Sequence, residues 1–269
     1  MAAHADAIGF GNEEDFLNVI LLSVEKGTIT SKNNYCYHNL EINDGIEILS
    51  ITHSNIHLTT KPYFKSKTAI PVTLQDNISA CEPYGYEKRL IANSVPDEFP
   101  ILFDYSYEEE IPEEIDTGKE YQLFLTAFAQ TLKIYKNIED SINKIPVLSS
   151  RFKSLNIHEV NIGPNYYAQS SEDGPVSLAG RVLDTKIITN SLTQQRVRWL
   201  KIDNILGNLE IVYPEKELTD KLLEEYYVIG EFWLIGYIES FHNVLLDQKS
   251  IDKDKRKNER LYDFDVSYM

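Results

Sequence analysis

Between Asn12 and Gly27 the apolar residues Phe16, Val19, Ile20 and Val24 fall at helical spacing, with polar residues filling the positions between them. This pattern predicts one amphipathic helix. Asn12 is placed to cap it, Glu13, Glu14 and Asp15 suit the positive end of its dipole, and Gly27 ends it. From Tyr35 to Phe103 the period shortens to two. The runs YCYHNLEI, GIEILSIT, IHLTT, TAIPVTL and FPILFDY alternate or are β-branched, and Asn43-Asp44-Gly45 between the first two is a hairpin signal. Pro62 removes a ladder donor, which places Lys61 to Phe64 at a strand edge or turn.

The pattern is less decisive from 120 to 175. EYQLFLTAFAQTLKIY begins with strand-like alternation and leaves strand and helix open near Ala127; residues 137–160 read as a polar connection, and Asn161 to Pro175 as a turn-rich joint. Strands are then predicted over 176–189, 196–203 and 209–213, followed by a short helix near Asp220 to Tyr226 and a last strand, YVIGEFWLIGYIES. Gly180, Gly230 and Gly236 interrupt these strands where a small barrel bends. The fold class is therefore α+β and predominantly antiparallel β: a helix and sheet region over 1–160, an OB-like barrel or roll over 161–246, and a charged tail over 247–269. No internal repeat is legible.

Charge sharpens the division. The net charge is -16. Residues 1–150 hold 23 acidic and 11 basic side chains, residues 151–269 hold 19 and 15, so the acidity is concentrated in the first region. Such a field repels phosphate backbones and attracts basic partners. Cys36 and Cys81 are expected to be reduced thiols. The N-terminus lacks the basic and apolar regions of a signal peptide, and no uncharged run reaches the ~20 residues of a bilayer span, so a soluble, cytoplasmic protein is expected.

Catalytic signatures are missing: there is no phosphate-binding loop, dinucleotide fingerprint or nucleophile elbow, which argues against an enzyme. His4, His38, His53, His57, His158 and His242 are scattered. His53 and His57 are four apart on a strand, about 13 Å along one face, so neither a metal nor another cofactor is expected. The densest charge run, Glu108 to Asp116, packs Glu108, Glu109, Glu110, Glu113, Glu114 and Asp116 around a proline. As a solvated loop it would steer a basic protein, with Tyr105 and Tyr107 beside it as candidate anchors and Tyr166 and Tyr167 as further aromatic candidates. Arg196, Arg198, Lys201 and Trp199 offer an alternative, a nucleic-acid face on an OB-type module. Alternation sets Arg196 and Arg198 opposite Val197 and Trp199, so they do not line one groove, and Trp199 reads as a core residue. Nucleic acid is the less favoured ligand.

The C-terminal segments LAGRV, NSLT, VRWLKI, GNLEIVYP and VIGEFWLIGYI together resemble an uncharacterised family of bacterial cytosolic proteins, with weaker echoes in IGF near Ile8, PYFKS from Pro62 and LTAFA from Leu125. Gln194 stands where the family's turn has glycine. Some relatives lie in toxin-immunity gene neighbourhoods. The resemblance implies a bacterial protein of this fold, in a family without an established activity; the acidic first region, the absent catalytic motifs and the tyrosine-rich β architecture are what lead to the expectation of an immunity or inhibitor protein that occludes a basic toxin or effector.

Overall fold

The computed structural model describes residues 3–32, 35–80, 88–95, 98–107, 110–112, 114–136, 158–162, 165–169, 175–218 and 223–241. The fold is α+β and predominantly antiparallel β. A short helix, α1 (Ala3–Ala7), precedes α2 (Glu13–Lys26), where the Asn12 side chain accepts the Asp15 N–H at 2.8 Å. Four strands follow as an antiparallel meander: β1 (Thr28–Lys32), β2 (Tyr35–Asn43), β3 (Ile46–His53) and β4 (Ile56–Phe64). Asp44 and Gly45 turn β2 into β3 with φ of 48° and 91°, the positive values a tight hairpin requires. Alternation turns His38, Ser50, Thr52 and Thr60 towards α2 and Tyr37, Glu47, Leu49 and Ile51 towards the remaining strands. Among the described residues, no helix is long and apolar enough to cross a membrane.

Ten further strands form one sheet: β5 (Ala69–Ala80), β6 (Lys88–Ser94), β7 (Pro100–Tyr105), β8 (Glu120–Tyr135), β9 (His158–Ile162), β10 (Asn165–Gln169), β11 (Val176–Thr189), β12 (Arg196–Asn204), β13 (Gly207–Pro214) and β14 (Tyr227–Ile238). Its spine is the antiparallel ladder of β8 on β14, from Leu123 opposite Ile238 to Tyr135 opposite Tyr227. One half of this ladder is closed into a ring by β11, β12 and β13, with β11 antiparallel to β14 and β13 parallel to β8. The other half is closed by β5, β6 and β7, with β5 antiparallel to β8 and β7 parallel to β14. Each ring is a three-stranded meander plus the two long strands.

The two rings correspond by a pseudo-twofold rotation about the Thr126–Ile235 pair. Asp104 lies beside Ile235 as Glu210 lies beside Thr126, and Val72 faces Tyr121 as Leu178 faces Gly230. The chain thus has an internal structural repeat, 69–135 against 176–238, that its sequence conceals. Strand β8, which lies before residue 160, pairs with β13 and β14 and so closes the ring of β11, β12 and β13. The ambiguity near Ala127 resolves as continuous strand, because β14 and β13 occupy both edges of β8 there. Residues 137–157 of the connection, the 247–269 tail and Cys81 lie outside the described residues, as do 163–164 and 170–174 of the expected joint, whose middle is strand β10, and 220–222 of the expected helix.

Burial follows the two faces of each strand. Leu200, Ile202, Leu209 and Ile211 point into one barrel, and Leu90, Ala92, Ile101 and Phe103 into the other. Val197, Trp199 and Val212 face outward, yet they are buried beneath Ile8, Phe10, Leu49 and Ile51. Trp199 is therefore a core residue, though it packs on the outside of its barrel rather than within it. Two pins lock this layer. Asn190 Nδ2 donates to Ile8 O at 2.9 Å and Thr193 Oγ1 to Gly9 O at 2.7 Å, so the NSLT turn grips the IGF segment. Thr126 Oγ1 donates to Phe64 O and Tyr237 Oη to Ser66 O, while Glu210 accepts from Lys67 N and Thr68 Oγ1, so β8, β14 and β13 together hold the stretch from Phe64 to Thr68.

Candidate functional site: an acidic loop on a buried tyrosine and glutamate cluster

Strand β7 alternates between interior and exterior, with Ile101, Phe103 and Tyr105 turned in. Tyr105 is fully buried, packs on Phe103 and Phe241, and its hydroxyl accepts the Ile238 N–H at 3.3 Å. Tyr107 is buried as well. Its hydroxyl donates to Glu47 Oε2 at 2.6 Å, and its ring meets Tyr63 and, edge-on, Tyr237. Asn39 Nδ2 gives Glu47 a second, longer bond of 3.4 Å. Tyr105 and Tyr107, the expected aromatic anchors, are thus buried in the seat of the loop.

The acidic loop itself has two sides. Glu110, Ile111 and Ile115 are buried, and the Glu110 N–H closes a turn onto Tyr107 O. Glu114 and Asp116 are exposed, with Thr117 to Glu120 continuing the exposed rim. Asp116 Oδ1 accepts the Gly118 N–H at 3.1 Å, and Asp116 O accepts the Tyr121 hydroxyl at 3.1 Å, so the rim is fixed to the start of β8. Of the predicted acidic residues, Glu110 turns inward, Glu114 and Asp116 face solvent, and Glu108, Glu109 and Glu113 lie outside the described residues. Tyr166 and Tyr167 sit on β10, where side chains also fall outside them.

Burial beside carboxylates controls the phenols. Burial, then Glu47, holds the Tyr107 hydroxyl well above the usual tyrosine range; burial and the carboxylates of Glu47, Glu239, Glu210 and Glu110 raise Tyr237 likewise; and burial with Glu217 pushes Tyr213 up to about 12. A group whose folded pKa is raised contributes stability below its unfolded value, about 10, which is lost as pH rises through the folded value. The urea midpoint is therefore expected to hold from pH 7 to 9 and fall above about pH 10, with part of the tyrosinate absorbance appearing only on unfolding. A midpoint unchanged at pH 11 would contradict this assignment.

The alternative arginine face is differently committed. Arg198 is only 14% exposed, and its Nε and Nη2 grip Glu215 through two 2.7 Å bonds, with Thr185 beneath Nη1 at 3.3 Å. Such a bidentate pair spends the guanidinium's carboxylate-shaped fork on a residue of the same chain. Arg196 is 59% exposed and stands 3.9 Å from the same carboxylate. Trp199 points to the opposite side, where its indole N–H donates to Glu210 Oε2 at 2.7 Å and Lys186 lies 4.8 Å over the ring. The two arginines and the tryptophan do not share a stacking groove. His53 and His57 also part: His53 meets Tyr35 on the barrel side, and His57 binds Thr60 on the α2 side.

Sequence reasoning missed the buried carboxylates Glu47 and Glu210. Each alternates with apolar neighbours and so reads as solvent-facing; only the packing of one sheet on another buries that face. No protein-family model matches the chain, and no curated protein matches it.

Proposed function

We propose that this is a non-catalytic cytoplasmic binding protein, an immunity or inhibitor protein that occludes a basic protein toxin or effector. The observation that carries the reading is the loop between β7 and β8: Glu110, Ile111 and Ile115 are sunk into the core while Glu114 and Asp116 stand outside, so the acidic rim is held in place before a partner arrives. Preorganisation removes part of the ordering cost of association, and a net charge of -16 steers a cationic partner to it. Arg198, closed on Glu215, leaves little for a phosphate backbone.

The test is affinity capture from bacterial extract at low ionic strength, with a parallel fluorescence titration against a single-stranded oligonucleotide. The expected result is a basic protein whose association rate falls steeply with salt, and no oligonucleotide binding. Oligonucleotide binding abolished by Arg196→Ala and Arg198→Ala would overturn the proposal.

A further inference from the structure

The face of the first sheet beneath α2 has an unusual composition. Ile48 and Leu40 give it an apolar part, but beside them lie Ser50, Thr52, Thr60 and His38, all buried, together with half-buried His57. The hydroxyls form a chain: Ser23 of α2 meets Ser50 at 2.5 Å, Ser50 meets Thr60 at 2.7 Å, and Thr60 meets His57 Nε2 at 2.8 Å. Its direction is fixed from the helix end. Ser23 gives its only proton to Ile20 O at 2.7 Å, so Ser50 donates to Ser23 and Thr60 to Ser50. Thr60 then has no proton left for His57, and Nε2 must be the donor. In neutral His57 the other nitrogen is therefore the proton-free one, and acid adds its charge there. His38 stands alongside, with Nε2 at 3.1 Å from Thr52 Oγ1, and touches the Val24 backbone of α2.

We propose that the Ser23–Ser50–Thr60–His57 chain and the neighbouring His38 form a proton-operated latch that holds α2 on the four-stranded sheet at neutral pH and releases it in mild acid. The surroundings offer little to balance an added charge. From the sheet, the titratable groups on this face among the described residues are His38, His57 and Cys36; α2 contributes the Ser23 hydroxyl and the Val24 carbonyl, while its Glu25 and Lys26 are exposed. Glu47 lies on the opposite face, bound to Tyr107. Two imidazolium ions in this space would repel each other without a facing carboxylate. Burial lowers the proton affinity of both histidines, the other histidine lowers that of His38 further, and the Val24 and Thr59 backbones oppose these effects more weakly. The sign follows: a histidine whose pKa is depressed when docked contributes stability above the ordinary value near 6.5, lost as pH falls through the depressed value.

Amide hydrogen exchange on the full chain, corrected for intrinsic rates, tests this at pH 7.5 and pH 5. The protection of residues 13–26 is expected to fall about tenfold relative to that of the β8–β14 ladder at the lower pH. His57→Gln combined with His38→Gln should reduce this differential change, because glutamine keeps an amide donor for Thr60 but takes up no proton. The variant's folding is checked by its β8–β14 protection. As a measurement free of any substitution, the two imidazole resonances of the unaltered chain should titrate together with the loss of α2 protection. Protection of α2 that keeps a constant ratio to that of the ladder, or histidines that titrate with α2 still protected, would overturn the latch.

Discussion

Gly230→Ala is expected to destabilise the protein by about 3 kcal/mol or more, a larger effect than most single substitutions produce. The cause is a close approach of two backbones. The β8–β14 ladder shifts register between Glu231 and Phe232, with Thr131 opposite Glu231 and Ala129 opposite Phe232, so β8 carries one extra residue. Beside this bulge a Cβ on Gly230 would collide with the Thr131 carbonyl, and would also come within 2.9 Å of the Phe232 ring. A flexible side chain could yield, but a carbonyl in a ladder shared by two barrels cannot move without disturbing both. Gly118 is the control. On the exposed rim a Cβ there meets only Asp116 Oδ1 at 3.5 Å, and Gly118→Ala should change stability by less than about 0.5 kcal/mol. Urea denaturation of the two variants measures the contrast, and equal midpoints would contradict the shared ladder.

Removal of the Glu210 carboxylate should be nearly as damaging. It is 3% exposed and accepts three protons: Lys67 N–H at 2.8 Å and Thr68 Oγ1–H at 2.9 Å on one oxygen, and the Trp199 indole N–H at 2.7 Å on the other. Glu210→Ala strands all three donors and is expected to cost about 4 kcal/mol. Glu210→Gln is the more informative change. Whichever way the amide turns, its NH2 faces one of these donors, so a loss of about 2 kcal/mol is expected even with size preserved. If the glutamine variant were as stable as the unaltered protein, Glu210 would not be an acceptor on both oxygens.

These two residues also show what the chain revealed and what it hid. The helix over 13–26, the Asp44-Gly45 hairpin and the strands from Val176 to Pro214 were legible, because each is specified by local period, cap or turn chemistry. Gly180 and Gly230 were legible as interruptions but not as contacts: a Cβ on Gly180 would sit 2.6 Å from Asp203 O, a neighbour known only after β11 and β12 pair. The twofold repeat was hidden because it resides in which strands meet. Tyr121 and Gly230 occupy corresponding places with nothing in common as residues. The loop was half legible. Its charge was plain, but the burial of Tyr107 follows from Glu47, Tyr63 and Tyr237, and that of Tyr105 from Phe241, all brought in from distant parts of the chain.

Association rates test the proposed capture of a basic protein by the pinned acidic rim. The captured partner is mixed at low ionic strength with the unaltered chain, with a Glu114→Gln and Asp116→Asn variant, and with a control in which Glu13→Gln and Glu14→Gln remove the same charge from exposed positions on α2. The association rate is expected to fall by about tenfold for the loop variant and far less for the control, the difference shrinking in high salt. Equal rates for the two variants would show that net charge alone attracts the partner, and would contradict a binding role for the loop.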